Sequence, residues 1–162
     1  MTEQKDNNEQ QEVGLYERLA QRTAELIEES KKNVDDALKK ASEELNKAGN
    51  YSSEQMDKVT SYVRRDLVEN ANKARDAVKS SVDPQRMAAG VQSVFSRILT
   101  STADALSEFA HKTEKALEFK TGEVTSPGTL TCKDCGAEMH LKSTARIPPC
   151  PKCHKTMFRK SY

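Results

Sequence analysis

Cys132-Lys-Asp-Cys135-Gly136 and Cys150-Pro-Lys-Cys153-His154 decide how this chain is read. They contain all four of its cysteines, as two C-x-x-C pairs. A two-residue spacer lets the backbone turn around an ion, and two such knuckles can supply four thiolates. Zn²⁺ accepts four thiolates in a tetrahedron without strain. Fourteen residues separate Cys135 from Cys150, room for one hairpin arm and a loop. One C-x-x-C pair is a weak signal, whereas two at this separation are a strong one. Cys132, Cys135, Cys150 and Cys153 are therefore the expected metal ligands.

The residues around the knuckles read as short strands. Thr129-Leu-Thr131 leads into the first, and Glu138-Met-His-Leu141 alternates polar and apolar as a half-buried strand does. Ile147-Pro-Pro149 stiffens the approach to the second, and Thr156-Met-Phe-Arg159 closes the unit. Gly136 suits positive φ after the first knuckle, and His154 stands at the same place after the second. The arrangement resembles a rubredoxin-like zinc ribbon. About 35 residues bury too little surface to fold unaided, and metal binding would supply the missing stability.

Four protein ligands leave no open position for water, so one structural Zn²⁺ is expected rather than a catalytic one. Iron is the competing occupant, against which the few aromatics of the ribbon, Phe158 and Tyr162, argue. Redox cycling of a C-x-x-C pair wants a βαβ context, which is absent. His140 and His154 read as surface groups or supports of the ligands rather than ligands.

Working outward, the 162 residues are 35% hydrophobic and 31% charged, with no Trp. That composition suits long amphipathic helices, which bury a stripe, better than a thick core. Residues 1–12 lack any aliphatic side chain but Met1 and read as a disordered tail. From Val13 apolar and small residues recur at steps of three or four, through Tyr16, Leu19, Ile27, Val34, Leu38 and Leu45. This predicts one helix running to Gly49, whose place suggests positive φ. Ser52 or Ser53 can cap a second helix, with the stripe Met56, Val59, Val63, Leu67, Ala71, Ala74 and Val78. Asp83-Pro84 opens a third, striped from Met87 to Leu117 and closed by Lys120-Thr-Gly122. Glu123-Val-Thr-Ser-Pro-Gly128 breaks the texture and reads as a linker. The expected fold is mainly α: a hairpin or three-helix array over 13–122, then a small all-β ribbon over 129–162.

The net charge is +1, so no global field points to nucleic acid or membrane. Residues 123–162 carry seven Lys/Arg against three acids, formally +4; the remainder carries nineteen against twenty-two, or −3. A zinc ion with four thiolates brings −2, leaving the ribbon about +2. Lys142, Arg146, Lys152, Lys155, Arg159 and Lys160 could meet phosphate, with Phe158 or Tyr162 stacking on a base. The same residues could form a protein-facing or solvated surface. No stretch approaches a membrane span, and the N-terminus has no apolar signal region. No phosphate-cradling glycine loop and no Ser/His/Asp set stands out, and His111 reads as a surface residue. Neither an enzyme nor a small-molecule substrate is expected. The leading expectation is a cytoplasmic zinc-binding adaptor that self-associates or holds a protein partner. Nucleic-acid binding by the ribbon is the alternative.

Gly128-Thr-Leu-Thr-Cys132, Cys135-Gly136, Ile147-Pro-Pro-Cys150-Pro-Lys-Cys153 and an opening Leu15-Tyr-Glu-Arg-Leu19 together resemble a family of bacterial, mostly proteobacterial, zinc-ribbon-containing proteins of uncharacterised function. Its members pair an N-terminal helical region with a C-terminal ribbon. The resemblance spans nearly the full length, although only the ribbon motif is specific. His154 departs from the glycine usual after the second knuckle, which leaves the ligands untouched. The resemblance implies cytoplasmic zinc binding and no particular reaction.

Overall fold

The computed structural model describes residues 2–30, 33–49, 51–79 and 118–161. The stripe from Met87 to Leu117, with His111, and the C-terminal Tyr162 lie outside them. Among the described residues three helices are followed by a small antiparallel sheet region, a mixed helix and sheet fold.

Helix α1 spans Thr2–Ser30, α2 Val34–Ala48 and α3 Ser53–Lys79. The single helix expected from Val13 to Ala48 is thus two. Asn33 takes an extended conformation, and its side chain accepts the Asp36 N–H at 2.8 Å. This is an N-cap, reinforced by Asp35 and Asp36 in the first turn of α2. Asn33 starts a new helix because it satisfies a backbone donor that would otherwise be orphaned. Helix α2 folds back against α1, where Arg22 donates to Glu44 at 2.7 Å.

The N-terminal residues are not a disordered tail, since α1 begins at Thr2. Glu12 is buried between Lys58, at 3.2 Å, and Arg146, at 2.6 Å. Glu9 and Glu12 hold this part of α1 by charge pairing rather than by aliphatic packing. Gly49 also differs from expectation, with φ at −122° in the extended region. What requires glycine there is space: a Cβ would meet the Tyr51 ring at 2.5 Å. Ser52 caps α3 reciprocally. Its Oγ accepts the Gln55 N–H, and the Gln55 side chain accepts the Ser52 N–H, both at 3.1 Å. Leu15, Leu19, Ala24, Ile27, Ala37, Ala41, Val59, Val63 and Leu67 lie within one buried cluster shared by the three helices.

The sheet region comprises β1 (Phe119–Lys120), β2 (Val124–Thr125), β3 (Gly128–Cys132), β4 (Glu138–Leu141), β5 (Ala145–Arg146) and β6 (Met157–Ser161). Four strands lie in the order β1-β6-β3-β4, and β2 pairs with β5. Every pairing is antiparallel. Phe119, expected near the end of a helix, instead faces Phe158 across the β1–β6 ladder. Thr121-Gly122 turns the chain next, with Gly122 at φ +91°.

Residues 123–128 are not a free linker. Val124, Thr125 and Ser126 are buried, and Val124 belongs to the helical core cluster. The Ser-Pro-Gly texture marks a turn, but the three residues before Pro127 are clamped between ribbon and helices. The ribbon's own core is Phe119, Leu130, Cys132, Ile147, Cys150 and Phe158.

Candidate metal centre

The two knuckles are built alike. In the first, the Gly136 N–H donates back to the Cys132 carbonyl at 3.0 Å, and the Cys132 N–H donates to the Ala137 carbonyl at 2.9 Å. In the second, the His154 N–H donates to the Cys150 carbonyl at 2.9 Å, and the Cys150 N–H donates to the Lys155 carbonyl at 3.0 Å. The residue closing each turn has positive φ, +69° at Gly136 and +58° at His154. Glycine enters that region freely, and histidine is among the side chains that tolerate it. Both expectations about these two positions hold.

This geometry brings the four sulfurs together, all within 4.8 Å of one another. Cys132 and Cys153 Sγ are 3.5 Å apart, and Cys135 and Cys150 Sγ are 3.6 Å apart. A tetrahedral ion with metal–sulfur bonds of about 2.3 Å has sulfur–sulfur edges of about 3.8 Å. The donor set therefore fits Zn²⁺ in size and chemistry. Each knuckle contributes one buried sulfur, Cys132 or Cys150, and one half-buried, Cys135 or Cys153.

The thiols differ in acidity. N–H groups of Cys153 and Lys152 favour the Cys150 thiolate, drawing that group down to about 6. The Lys155 N–H favours a thiolate at Cys153 too. Burial and the neighbouring Cys135, Cys132 and Cys150 sulfurs outweigh it and push that thiol up to about 12. Four sulfurs this close cannot all shed protons unless a cation compensates them, which is what a divalent ion would supply.

Among the described residues, these cysteines form the one grouping of three or more potential ligand side chains. His140 is not in it. Its Nδ1 lies 2.8 Å from Thr129 Oγ1 on the exposed sheet face. His154 is exposed and serves the turn.

The basic residues separate into two groups. Lys142, Lys152, Lys155 and Arg159 are exposed. Arg146 is engaged within the molecule, donating to the Gly122 carbonyl and to Glu12, each at 2.6 Å. Phe158 is 0% exposed and Lys160 is 4% exposed. Phe158 cannot stack on a base, and Lys160 cannot meet a phosphate from this position. The physical reason is the period of two along β6, which turns Phe158 and Lys160 inward and Arg159 outward.

What Lys160 meets is a second polar cluster that sequence reasoning missed. Its Nζ donates to Thr125 Oγ1 at 2.8 Å and to the carbonyl and hydroxyl oxygens of Ser126 at 2.7 and 2.6 Å. Asp66 Oδ2 of α3 lies 3.7 Å away. That oxygen also accepts from the Tyr16 hydroxyl at 2.5 Å, Thr125 Oγ1 at 2.8 Å and the Ser126 N–H at 2.8 Å. Burial alone would raise the Asp66 carboxyl. Lys160 and Arg65, with the Tyr16 and Ser126 donors, hold it below the ordinary carboxylate range. Arg65 also bonds Glu123 and the Val124 carbonyl, and its guanidinium lies 4.0 Å over the Phe119 ring. A signal existed in the sequence: Asp66 falls on the buried stripe of α3, three residues from Val63 and next to Leu67.

Comparison with known proteins places the ribbon in context. The family model described as a zinc-ribbon containing domain matches residues 21–161, most of the chain. The chain belongs to that family. Uncharacterized protein YbeL of Escherichia coli strain K12 is 25% identical over 159 residues, covering 90% of this chain and 92% of that protein. YbeL of Escherichia coli O157:H7 matches equally well. No solved structure matches the chain.

Proposed function

We propose that this chain is a non-catalytic zinc-binding adaptor. One structural zinc holds the ribbon, and the helices serve self-association or a protein partner. The observation that carries this reading is the convergence of four sulfurs on one point, within 4.8 Å of one another. Cys132, Cys135, Cys150 and Cys153 would be the ligands. Four protein donors leave no coordination site for substrate or water, so the ion's role is to stabilise the β unit. Free thiols at this density suit a reducing compartment, and the cytoplasm is the proposed location. The family description favours zinc over iron, and the purified protein is expected to be colourless, whereas a coloured one would point to iron.

The nucleic-acid alternative loses Phe158, Arg146 and Lys160 as contacts. The exposed Lys142, Lys152, Lys155 and Arg159 remain, a solvated or partner-facing surface.

Elemental analysis of protein purified without chelator tests the metal. One equivalent of zinc is expected, and less than about half an equivalent of any metal contradicts the reading. Crosslinked pull-down of wild type and Cys150→Ser, with and without nuclease, tests the adaptor role. Protein partners or self-crosslinks that survive nuclease support it. Capture that vanishes with nuclease, with a gel shift that fades in rising salt, favours the alternative.

A further inference from the structure

Strand β6 takes part in two sites at once. Phe158 lies opposite Cys132 in the β3–β6 ladder and is buried among the cysteines. The main chain beside it is tied to the first knuckle, where the Lys133 N–H donates to the Met157 carbonyl at 3.0 Å, and the strand follows directly on the second, whose Cys150 N–H donates to the Lys155 carbonyl at 3.0 Å. Two residues further along the same face, Lys160 reaches Thr125, Ser126 and Asp66. Strand geometry fixes that spacing, so Phe158 cannot leave the cysteine cluster without dragging Lys160. Strand β1 repeats the link, because Phe119 lies opposite Phe158 and under Arg65 of α3.

We propose that metal binding at the cysteine cluster and docking of the ribbon onto α1 and α3 are coupled through β6, with Lys160 as the coupling residue. The inference rests on the zinc reading above and adds a regulatory consequence to it. A ribbon with so few core residues needs the ion to keep β6 in place. The Asp66 carboxylate is fully buried and tolerates that position only while a cation and its donors compensate it. Loss of the ion frees β6, and Lys160 leaves with it. Asp66 then keeps Arg65 and Tyr16 but loses Lys160, Thr125 and Ser126, water enters to solvate it, and the joint between ribbon and helices opens. Linkage makes the effect reciprocal. Asp66, on a helix that contributes no sulfur, sets part of the affinity for zinc.

The test is a zinc competition against a chromophoric chelator, using the full chain. Wild type, Asp66→Asn, Lys160→Met and the double variant are compared, with Arg159→Gln as the exposed neighbour on the same strand. Each single variant is expected to hold zinc about tenfold less tightly. The double variant should recover most of that loss, because neither charge is stranded. Arg159→Gln should bind as wild type does. Hydrogen exchange of wild type supplies a measurement independent of any variant: removing zinc should raise exchange in α3 around Asp66. Single variants that keep wild-type affinity, or losses that add in the double variant, overturn the coupling. So does unchanged α3 protection after zinc removal. Wild type that takes up no zinc overturns the metal reading itself and the coupling with it.

Discussion

The cysteine cluster and the Asp66 cluster are both small sets of polar side chains, but they solve opposite problems. In the first, four groups of like chemistry converge, and each thiolate makes the next harder to form. Among the described residues the four sulfurs meet one another and backbone N–H groups, so a divalent ion would supply the missing positive charge. In the second, Asp66, Lys160 and Arg65 carry opposite charges, and Tyr16, Thr125 and Ser126 fill the remaining hydrogen-bond capacity. That cluster is complete from the chain's own atoms. On the proposed reading one site is conditional on an ion, and the other persists so long as its two halves stay together. The cores on either side follow the same division. The helices bury a broad apolar cluster including Leu15, Leu19, Ile27, Val59 and Leu67, whereas the ribbon has Phe119, Leu130, Ile147 and Phe158 around its cysteines.

Metal removal should produce the largest contrast. Structural zinc contributes on the order of 10–16 kcal/mol in small zinc peptides, far more than four apolar side chains can replace. Chelation is expected to abolish the dispersed amide signals of residues 129–161 in NMR spectra while the helical signal in far-UV circular dichroism is largely kept. Equal loss of both would erase the distinction between the two regions.

Breaking the Asp66 cluster comes next. Asp66→Ala leaves Lys160 buried without its counter-ion, a change that costs about 3–5 kcal/mol. Denaturant unfolding of the zinc-loaded protein should show it. Replacing both partners, as Asp66→Leu with Lys160→Met, should cost much less, because similar-volume apolar substitution of a buried pair is often neutral. A double variant as unstable as Asp66→Ala would show that the hydrogen bonds, not the charges, dominate.

Acid should act on both sites, through the metal first. Protons compete with zinc for sulfur, so metal affinity falls as pH falls. The Asp66 carboxyl is depressed in the folded state relative to about 3.9 when unfolded. Its contribution is therefore complete above that value and is lost as pH drops through the folded one. Because zinc release opens the joint, the stability gap between wild type and Asp66→Asn should narrow over the same pH range in which a chelating dye detects zinc release, before the Asp66 carboxyl itself takes up a proton. Helix caps make the smallest difference: Asn33→Ala should cost about 1 kcal/mol in thermal unfolding and leave zinc content unchanged.

The cysteine spacing made the convergence of the four sulfurs legible, because ligation would impose a local rule that a linear sequence displays. C-x-x-C with a residue fit for positive φ just after each pair encodes a turn, and both turns are present. Helix existence was legible from periodicity, but the break at Asn33 was not. A stripe that continues on both sides of a cap looks unbroken when only apolar spacing is followed. The Asp66 joint was hardest to see. Its members come from α1, α3, β2 and β6, and no local pattern links residues 50 or more positions apart, as Tyr16 and Asp66 are. The basic composition of the ribbon misled for the same reason. Arg146 and Lys160 look like their exposed neighbours until the fold supplies Glu12 and Asp66.

The central claim is that four sulfurs from two knuckles hold one metal ion that the ribbon needs. X-ray absorption at the zinc edge of the purified full-length protein measures this most directly. Four sulfur neighbours at about 2.3 Å, with no nitrogen or oxygen in the first coordination sphere, is the expected result. A shell containing water or histidine, or protein with no bound metal and its cysteines joined as disulfides, would contradict it.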